Sequence, residues 1–257
     1  MLGLPISGTP VRWRPTTGHD DALLAETGTG LAGVVAWVAR CVEDGDGLAV
    51  DAAALPVGDL DLLVLARRRE LRSDRFIAEG ACLHCGTLVD VTFSLTAYGE
   101  HCRPRRPRGV EPAEPGWWRL RAQGVTFRVP VAADVLAAAG SAHPRRMLIE
   151  RCVRGEPTPR QAAAAERAMA RLAPTLRSQV TGGCPECGRE VLLDVDAREL
   201  CLAELRFLAG SVHDDVHLIA SAYGWSERAI LDLPSSRRRR YADLIADSVT
   251  PAEVRLG

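Results

Sequence analysis

The chain has 257 residues, of which 47% are hydrophobic, and its formal net charge at pH 7 is −1. This length is enough for one large domain or two small ones with a substantial core. The nearly neutral balance excludes the strongly basic proteins that coat nucleic acid and the proteins that bind anionic membranes through charge alone. All 32 basic residues are arginines. This indicates a compositional bias, so a run of arginines is weak evidence of function.

The sequence predicts neither a membrane span nor a signal peptide. Its longest apolar run, LAGVVAWVA, ends before Arg40 and is far shorter than the ~20 residues that cross a bilayer. The N-terminus MLGLPISGTP lacks the basic and apolar regions of a signal peptide. We therefore expect a cytoplasmic protein, in which eight cysteines favour metal ligation or free thiols over disulfides.

The N-terminal part is predicted to be an arm followed by helices. Residues 1–19 contain three prolines and are predicted to form an extended arm. Residues 20–43 have apolar residues at helical spacing, interrupted by glycines. A further helix is predicted over about 60–72, with Asp59 as its N-cap.

Two short motifs, CLHCG at 82–86 and CPECG at 184–188, each lie between segments of strand character. RFIAEGA precedes the first motif, and TLVDVTFSL, with alternating apolar and polar residues, follows it. TLRSQVTGG precedes the second motif and REVLLDVD follows it. Each motif is therefore predicted to be the turn of a hairpin that leads into a helix, which makes a weak internal repeat.

The remaining segments favour an α+β fold that is mainly helical. Residues 99–116 are rich in proline, glycine and arginine and are predicted to be a mobile loop. WWRLRAQGVTFRV predicts a hairpin that turns near Gln123 and Gly124. Thr158 is expected to cap a helix whose first residue is Pro159. Other helices are predicted at 131–139, 145–153 and about 197–222, followed by two shorter ones on either side of LPSS at 233–236.

We predict three regions from these elements. They are the extended arm (1–19), a helical and zinc-ribbon-like domain (20–196) and a C-terminal helical region (197–250). The small antiparallel sheet of the second region is expected to be made from the two C-x-x-C hairpins.

The cysteines of the two motifs are predicted to bind one structural zinc ion: Cys82, Cys85, Cys184 and Cys187. A C-x-x-C turn points two sulfurs at one cation, and the following glycine supplies the positive φ of the turn. Structural zinc takes four ligands, so two such turns complete one tetrahedral site. Closing the intervening loop costs ~4 kcal/mol, less than the ~10–16 kcal/mol of zinc binding. Four thiolates leave no position for a water molecule, so the site implies no hydrolytic chemistry.

Other interpretations of the cysteines stay open from sequence alone. Both pairs could be metal-free thiols in turns, or a redox pair, although a thioredoxin-like motif opens a helix rather than a hairpin. His101 and Cys102 could replace a ligand, whereas His84 is expected to be a solvent-facing spacer. Three further cysteines lie in helical patterns and are interpreted as small apolar residues: Cys41, Cys152 and Cys201.

Two motifs match enzyme sites but lack the required context. GTGLAG at 28–33 matches the dinucleotide fingerprint, but the preceding DDALLAE has helical rather than strand character. HDDVH at 213–217 matches part of a zinc-protease motif, but its histidines lie at the edge of a solvated helix face and no third ligand is evident. We therefore expect neither enzyme activity nor a small-molecule substrate.

Two arginine runs, at 103–108 and 237–240, could bind phosphates. The first is broken by prolines. The second lies in a predicted helix, where four successive side chains point in nearly all directions. Neither run is interleaved with aromatic residues, so nucleic acid is not the expected partner.

A family resemblance is carried by an ordered set of segments. In chain order these are LPVGDLDLLVLARRREL, CLHCG with its alternating strand, VTFRVPVAADVLAA, LIERCV, CPECG, and AYGWSERAILDLP leading into an arginine-rich helix. The set resembles the baseplate hub assembly chaperone family, the T-even-phage-type proteins of contractile tails and related contractile injection systems. The resemblance covers about residues 55–247, and the arm and the 99–116 loop have no counterpart in it.

The resemblance implies a non-enzymatic component or assembly chaperone of the baseplate or hub of a phage-tail-like particle. Its partners would be other baseplate or tail proteins. The predicted partner-binding residues are Trp225, Tyr241, Arg237 and Arg238, because interfaces are enriched in aromatic residues and arginine. The alternatives are a zinc-ribbon nucleic-acid-binding regulator that uses Arg237–Arg240 and, after it, an oxidoreductase.

Overall fold

The computed structural model describes residues 1–249, which form an α+β fold with helix as the main element. This agrees with the predicted fold class. Within these residues the strands form four small antiparallel sheets. Residue 250, the last of the predicted C-terminal region, lies outside the described part of the chain.

The described residues contain ten α-helices and ten strands. The helices are α1 (Gly18–Glu26), α2 (Leu31–Cys41), α3 (Val57–Leu71), α4 (Leu95–His101), α5 (Ala132–Ala139), α6 (Pro144–Cys152), α7 (Pro159–Leu172), α8 (Ala197–Tyr223), α9 (Glu227–Leu231) and α10 (Ser235–Val249). The strands are β1 (Leu2–Gly3), β2 (Pro10–Trp13), β3 (Val42–Asp44), β4 (Arg75–Ala81), β5 (Leu88–Ser94), β6 (Val110–Glu114), β7 (Trp117–Leu120), β8 (Val125–Phe127), β9 (Arg177–Gly183) and β10 (Glu190–Asp196). The sheets have the orders β1-β2-β3, β4-β5, β6-β7-β8 and β10-β9.

A helix–hairpin–helix unit, the knuckle module, occurs twice. The first copy is α3-β4-β5-α4 and the second is α7-β9-β10-α8, and each element of the second begins 102 positions after its counterpart. The strand registers also correspond, because Leu88 pairs with Ala81 and Glu190 pairs with Gly183. The internal repeat predicted from the sequence is therefore present, and it includes the helix that precedes each hairpin.

A second repeated unit, the ion-pair module, precedes each knuckle module. Its first copy is β2-α1-α2-β3, and its second is β8-α5-α6 with the residues that follow. In each copy an arginine after the strand binds an aspartate of the next helix through two guanidinium nitrogens, Arg14 with Asp20 and Arg128 with Asp134. The two modules thus occur twice in the same order, with β1, β6 and β7 outside the pattern and α9 and α10 after it.

Each ion-pair module also binds a Leu-Pro segment from another part of the chain. In both cases the leucine carbonyl accepts a hydrogen bond from the first residue of the first helix of the module. Leu55 accepts from the Ala132 N–H at 2.8 Å, and Leu233 accepts from the Gly18 N–H at 3.3 Å. The start of α3 is therefore bound to the second half of the chain, and the start of α10 is bound to the first half.

The modules build two hydrophobic cores. The larger core contains the first ion-pair module, both knuckle hairpins and α8, and includes Trp37, Leu63 and Leu202. The smaller core lies around Phe127, between the β6-β7-β8 sheet and the helices α6 and α7. Since α8 follows β10 without a break and packs on α1 and α3, the predicted division between 196 and 197 does not separate two bodies.

The N-terminal segment is extended as predicted, but it is not an arm apart from the fold. β2 pairs with both β1 and β3. Leu4 and Val11 are buried in the larger core. The helical segment that follows is two helices rather than one, because the glycine-rich residues 27–30 separate α1 from α2.

Asp59 is not the N-cap predicted for the third helix. α3 begins at Val57, two residues earlier, so Asp59 lies within its first turn. Its fully buried carboxylate accepts the backbone N–H groups of Ile6 and Ser7 at 3.0 and 2.8 Å. The carboxylate therefore fixes the loop between β1 and β2 instead of the start of its own helix.

The loop predicted over 99–116 is shorter than expected. α4 extends to His101 and β6 begins at Val110, which leaves residues 102–109 between them. The predicted hairpin with its turn near Gly124 is confirmed, since β7 and β8 pair and Gly124 has a φ of +63°. The Thr158 cap is also confirmed, because its side chain accepts the Gln161 N–H.

Candidate metal centre

Each C-x-x-C-G motif forms the tight turn at the tip of its hairpin. The Gly86 N–H donates to the Cys82 carbonyl at 2.8 Å, and the Gly188 N–H donates to the Cys184 carbonyl at 3.0 Å. Both glycines have positive φ angles, +76° and +68°, which residues with a side chain rarely adopt. The predicted need for glycine at these two positions is therefore confirmed.

The two hairpins are separate sheets that pack closely against each other at glycines. A Cβ atom on Gly80 would lie 2.3 Å from Leu193 Cδ2, and one on Gly182 would lie 2.6 Å from Val91 Cγ2. The two contacts are equivalent in the repeat, since each glycine and each apolar partner occupies the same position in its own module. The expectation of one sheet made from both hairpins is thus corrected to two sheets in contact.

The four cysteines predicted as ligands come together where the hairpin tips meet. The Sγ atoms of Cys82 and Cys187 are 3.7 Å apart, and those of Cys85 and Cys184 are 3.6 Å apart. All four sulfurs lie within 4.8 Å of one another. These separations exceed the ~2.05 Å of a disulfide. The two shorter separations, 3.7 and 3.6 Å, lie close to the roughly 3.8 Å between sulfurs that are ~2.3 Å from a tetrahedral zinc ion.

The donor set suits a soft metal ion. Cys82 and Cys184 are buried, and Cys85 and Cys187 are exposed. Two of the sulfurs therefore lie on the core side of the site, and the other two face solvent, from which an ion can enter. Four thiolate ligands select zinc or iron over the hard cations that prefer oxygen. The residues therefore fit a closed four-sulfur site, in which no coordination position is left for a substrate.

The electrostatics of the cluster favour a bound cation. A hydrogen bond with the Thr87 side chain lowers the pKa of Cys85 to about 6. For Cys187 the Arg189 N–H lowers the pKa, but desolvation and the neighbouring thiols outweigh it and raise the pKa to about 12. Adjacent sulfurs cannot all ionise without a countercharge, and a divalent cation would supply one.

Three of the other cysteines are buried in the cores as small apolar residues, as predicted. Burial raises the pKa of each of these thiols, to about 12, 11 and 12 in the order Cys41, Cys152 and Cys201. A protonated, enclosed thiol is a poor metal ligand. These cysteines therefore contribute to packing, and Cys152 also donates a hydrogen bond to the Asp134 carboxylate at 3.8 Å.

The remaining candidates lie outside the sulfur cluster. Among the described residues, His101 and Cys102 do not join the four cysteines. His84 is exposed, as expected of a spacer, and its Nδ1 lies 3.1 Å from Nη1 of Arg189 on the other tip. This contact adds a direct bond between the two turns.

Sequence reasoning missed the charged clusters of the ion-pair modules. Asp20 also binds Arg40, and Asp134 also binds Arg151, in each case at 2.7 Å. The signal was present as VARCV at 38–42 and IERCV at 149–153, where the same arginine–cysteine pair ends a helix. Because each buried carboxylate is bound by two guanidinium groups, these clusters stabilise the fold and leave no group free for chemistry.

Two of the predicted partner-binding residues belong to an exposed aromatic cluster. Trp225 and Tyr241 lie in contact with Tyr223, and the three ring centroids are 5.4 to 6.1 Å apart. Trp225 is 38% exposed and Tyr223 is 47% exposed. The guanidinium group of Arg237 lies 5.7 Å from the centre of the Tyr241 ring. This aromatic cluster, with Arg237 at its edge, is accessible to a partner.

The prediction that Arg238 contacts a partner is wrong. The side chain of Arg238 is fully buried and binds Asp21 at 2.8 Å and Asp215 at 2.9 Å. Gly18 lies directly against it, since a Cβ atom there would be 3.0 Å from Arg238 Nη1. Arg238 therefore anchors α10 to α1 and α8, and it is not available at the surface.

The two enzyme-like motifs lack the geometry of the sites that they match. The segment before Gly28 is the helix α1, so the strand–turn–helix of a dinucleotide site is absent there. His213 and His217 are exposed on α8, whereas Asp215 between them points inward to Arg238. The HDDVH motif at 213–217 therefore contributes Asp215 to an internal ion pair.

No protein-family model, curated protein or solved structure matches the chain. Among the described residues, no helix is long and apolar enough to cross a membrane.

Proposed function

We propose that this protein is a non-enzymatic assembly protein, a component or chaperone of the baseplate or hub of a phage-tail-like contractile particle, with a structural zinc site. The zinc ion binds Cys82, Cys85, Cys184 and Cys187 in a zinc-ribbon-like arrangement of two hairpins. Its role is to join the two halves of the chain into one rigid body that presents surfaces to other tail proteins.

The observation that supports the zinc proposal is the meeting of four sulfurs from two distant turns within 4.8 Å of one another. Zinc needs no redox partner and is the usual ion of closed four-cysteine sites. With every position taken by protein, such an ion stabilises the fold without catalysing a reaction. This is the expected design of a scaffold rather than of an enzyme.

The assembly role rests on the ordered segments that resemble the hub chaperone family, together with the aromatic cluster. Tyr223 and Trp225 have exposed rings, and Tyr241 beside them is partly exposed. Aromatic residues with nearby arginines dominate binding energy at protein interfaces. Arg237 makes no ion pair within the described chain; its guanidinium group instead donates to the Tyr241 hydroxyl at 3.2 Å. It can therefore bind a carboxylate of a partner beside the rings.

The zinc proposal is tested by the metal content of the purified protein. We expect one zinc per chain in the wild type and loss of zinc in both Cys82→Ser and Cys184→Ser. Cys102→Ser is the matched control, because Cys102 lies outside the sulfur cluster, and it should retain one zinc. A folded wild-type protein without metal would contradict the proposal, and retention of zinc in one variant would show that the turns do not share a site.

The assembly proposal is tested by co-expression with the hub and baseplate proteins of a contractile particle from the same genome. We expect a complex of defined stoichiometry whose affinity falls about tenfold or more in Trp225→Ala and Tyr241→Ala. Phe207→Ala is the control, since Phe207 is an exposed aromatic residue on α8 outside this cluster. No complex with any of these proteins, or equal loss in all three variants, would contradict the proposal.

The regulator that uses Arg237–Arg240 gains no support from the arrangement of these residues. Arg238 is buried, and Arg239 lies 3.8 Å from Asp21. Two of the four arginines are thus directed to internal carboxylates rather than to phosphates.

A further inference from the structure

Many exposed arginines of the described chain bind a carboxylate, whereas others do not, and five of the latter lie in one region. Arg12 with Glu43 and Arg146 with Glu150 are two examples of exposed ion pairs. Within the described residues, five exposed arginines of one region make no ion pair and no side-chain hydrogen bond: Arg105, Arg106, Arg108, Arg167 and Arg171. We call these five residues the arginine patch.

The arginine patch combines a loop and a helix that are distant in the sequence. The Arg105 N–H donates to the carbonyl of Arg171 at 2.7 Å, which places the loop at the C-terminal end of α7. Arg167 lies one turn before Arg171 on the same helix face. Pro104 and Pro107 restrict the backbone of the loop, so its arginines are held beside those of α7.

Five like charges in one region repel one another, and neighbouring cations one turn apart on a helix are unfavourable. The carboxyl-terminal end of α7 offsets part of this cost, because its free carbonyl groups carry a partial negative charge. Glu166 attracts Arg167 but forms its ion pair with Arg145. The rest of the cost remains, since no carboxylate of the described chain forms an ion pair with these five side chains. A surface of this kind has a strong electrostatic preference for a polyanion.

The composition of the patch indicates which polyanion binds. None of the exposed large apolar residues lies in the loop 102–109 or on α7, so a protein partner would find no apolar anchor there. Without aromatic side chains there is no stacking platform for single-stranded bases. Guanidinium groups alone suit the phosphate backbone of a nucleic-acid duplex, whose binding is mainly electrostatic.

We propose that the arginine patch binds the phosphate backbone of double-stranded nucleic acid without sequence preference. This proposal goes beyond the assembly role and does not depend on it, and its site differs from the arginine run at 237–240. The sequence alone argued against such a partner because the loop is broken by prolines and is not interleaved with aromatic residues. It could not show that Arg167 and Arg171 complete the patch.

The test is the binding of a fluorescent DNA duplex of about 20 base pairs to the zinc-loaded full chain, measured by anisotropy at several salt concentrations. Five phosphate contacts predict a slope of log K against log salt of about −4.5, or a roughly 500-fold loss of affinity between about 50 and 200 mM salt. The triple variant Arg105→Gln, Arg106→Gln, Arg108→Gln should reduce the slope to about −1.8.

The matched control removes the same charge from arginines that already have carboxylate partners: Arg12→Gln, Arg146→Gln and Arg177→Gln. These residues are exposed and ion-paired with Glu43, Glu150 and Asp196, so the salt slope should stay near the wild-type value. No binding of the duplex at low salt, or the same slope in both triple variants, overturns the proposal. Binding of a polyglutamate peptide in place of the duplex would also overturn it and would assign the patch to an acidic protein.

Discussion

Asp20 and Asp134 are buried carboxylates that remain charged because each binds two arginines. Burial raises the pKa of Asp134, but the hydrogen bonds from Arg128, from the Val131 N–H and from Arg151 outweigh it, so the pKa lies well below its ordinary value. Burial also raises the pKa of Asp20 in the first half, but the hydrogen bonds from Arg14, from the Thr17 N–H and from Arg40 outweigh it, so this pKa is lowered as well. Folding of each half therefore depends on an ionised aspartate.

A depressed carboxyl pKa predicts a loss of stability in acid. The contribution of Asp134 is present above the unfolded-state pKa of about 4 and is lost as the pH falls through the lower pKa of the folded state. Asp134→Asn should cost about 2–4 kcal/mol at pH 7, less than a fully enclosed pair because Arg151 is half-exposed. This difference from the wild type should stay constant from about pH 7 to 5 and shrink below about pH 4, as measured by denaturant unfolding down to about pH 2.

The control for this prediction is Asp243→Asn on α10. Asp243 is exposed and makes no bond with another described side chain, so its replacement should change stability by less than about 0.5 kcal/mol. A constant difference between Asp134→Asn and the wild type over the whole pH range would contradict the assigned role of the carboxylate.

Single charged residues were the part of the fold that the sequence predicted least well. Arg238 belongs to a run of four arginines, and its partners Asp21 and Asp215 are 217 and 23 positions away. Nothing local distinguishes it from its neighbours, since the choice of the buried arginine depends on which helices meet. Glycines were easier to interpret, because the positive φ of Gly86 and Gly188 follows from the local turn alone.

At the scale of elements, corresponding positions of the two halves differ where their environment differs. α4 has 7 residues, whereas its counterpart α8 has 27 and packs on α1 and α3. Val34 and Val64 are fully buried in the first half. Their counterparts, Arg145 and Glu166, form an exposed ion pair in the second half. Because α4 is much shorter than α8, it leaves the face of α6 and α7 with Arg145 and Glu166 open to water. Charged residues therefore occupy positions that are apolar in the first half.

The contact between the knuckle hairpins predicts unequal effects of alanine at the two glycines. In Gly182→Ala the new Cβ would meet Val91, whose branched side chain has few alternatives. In Gly80→Ala the new Cβ would meet the end of Leu193, which can rotate away. We expect Gly182→Ala to cost about 1–3 kcal/mol and Gly80→Ala to cost less, as measured by chemical denaturation with zinc bound.

Gly183→Ala provides a control one residue further along the same strand. No atom lies within 4 Å of a Cβ built there, so the substitution should be neutral within about 0.5 kcal/mol. Equal destabilisation by all three alanines would indicate that glycine is needed for the backbone of the strand and not for the contact between hairpins.

The hairpins, the Thr158-capped helix and the short helices of the second half were predictable because each is determined by residues close in sequence. The ion-pair modules were not recognised as a repeat, because their elements are spaced differently from those of the knuckle modules. Arg14 and Arg128 are 114 positions apart, but Arg40 and Arg151 are 111 positions apart. The first copy is thus three residues longer between these arginines than the second, and this difference hides a pattern that becomes clear when the contacts are compared.

For the whole molecule, the candidate zinc site joins the two halves at the tips of their hairpins, through cysteines 99 to 105 positions apart. Both hairpins contribute to the larger core through residues such as Val91 and Val191. The smaller core around Phe127 and Met169 contains none of the four ligands. Loss of the metal should therefore weaken the two cores to different extents.

We expect a chelator to lower the stability of the larger core by several kcal/mol, since an ion at a thousand times its dissociation constant stabilises the folded state by about 4 kcal/mol. Hydrogen exchange resolves the two cores. Amides of β4, β5, β9 and β10 should lose protection first, while those of β8 and α7 in the smaller core keep most of theirs. Equal loss in both cores would mean that the protein unfolds as a single unit when the ion leaves. Unchanged protection in the hairpins would mean that packing at Gly80 and Gly182, rather than zinc, joins the two halves.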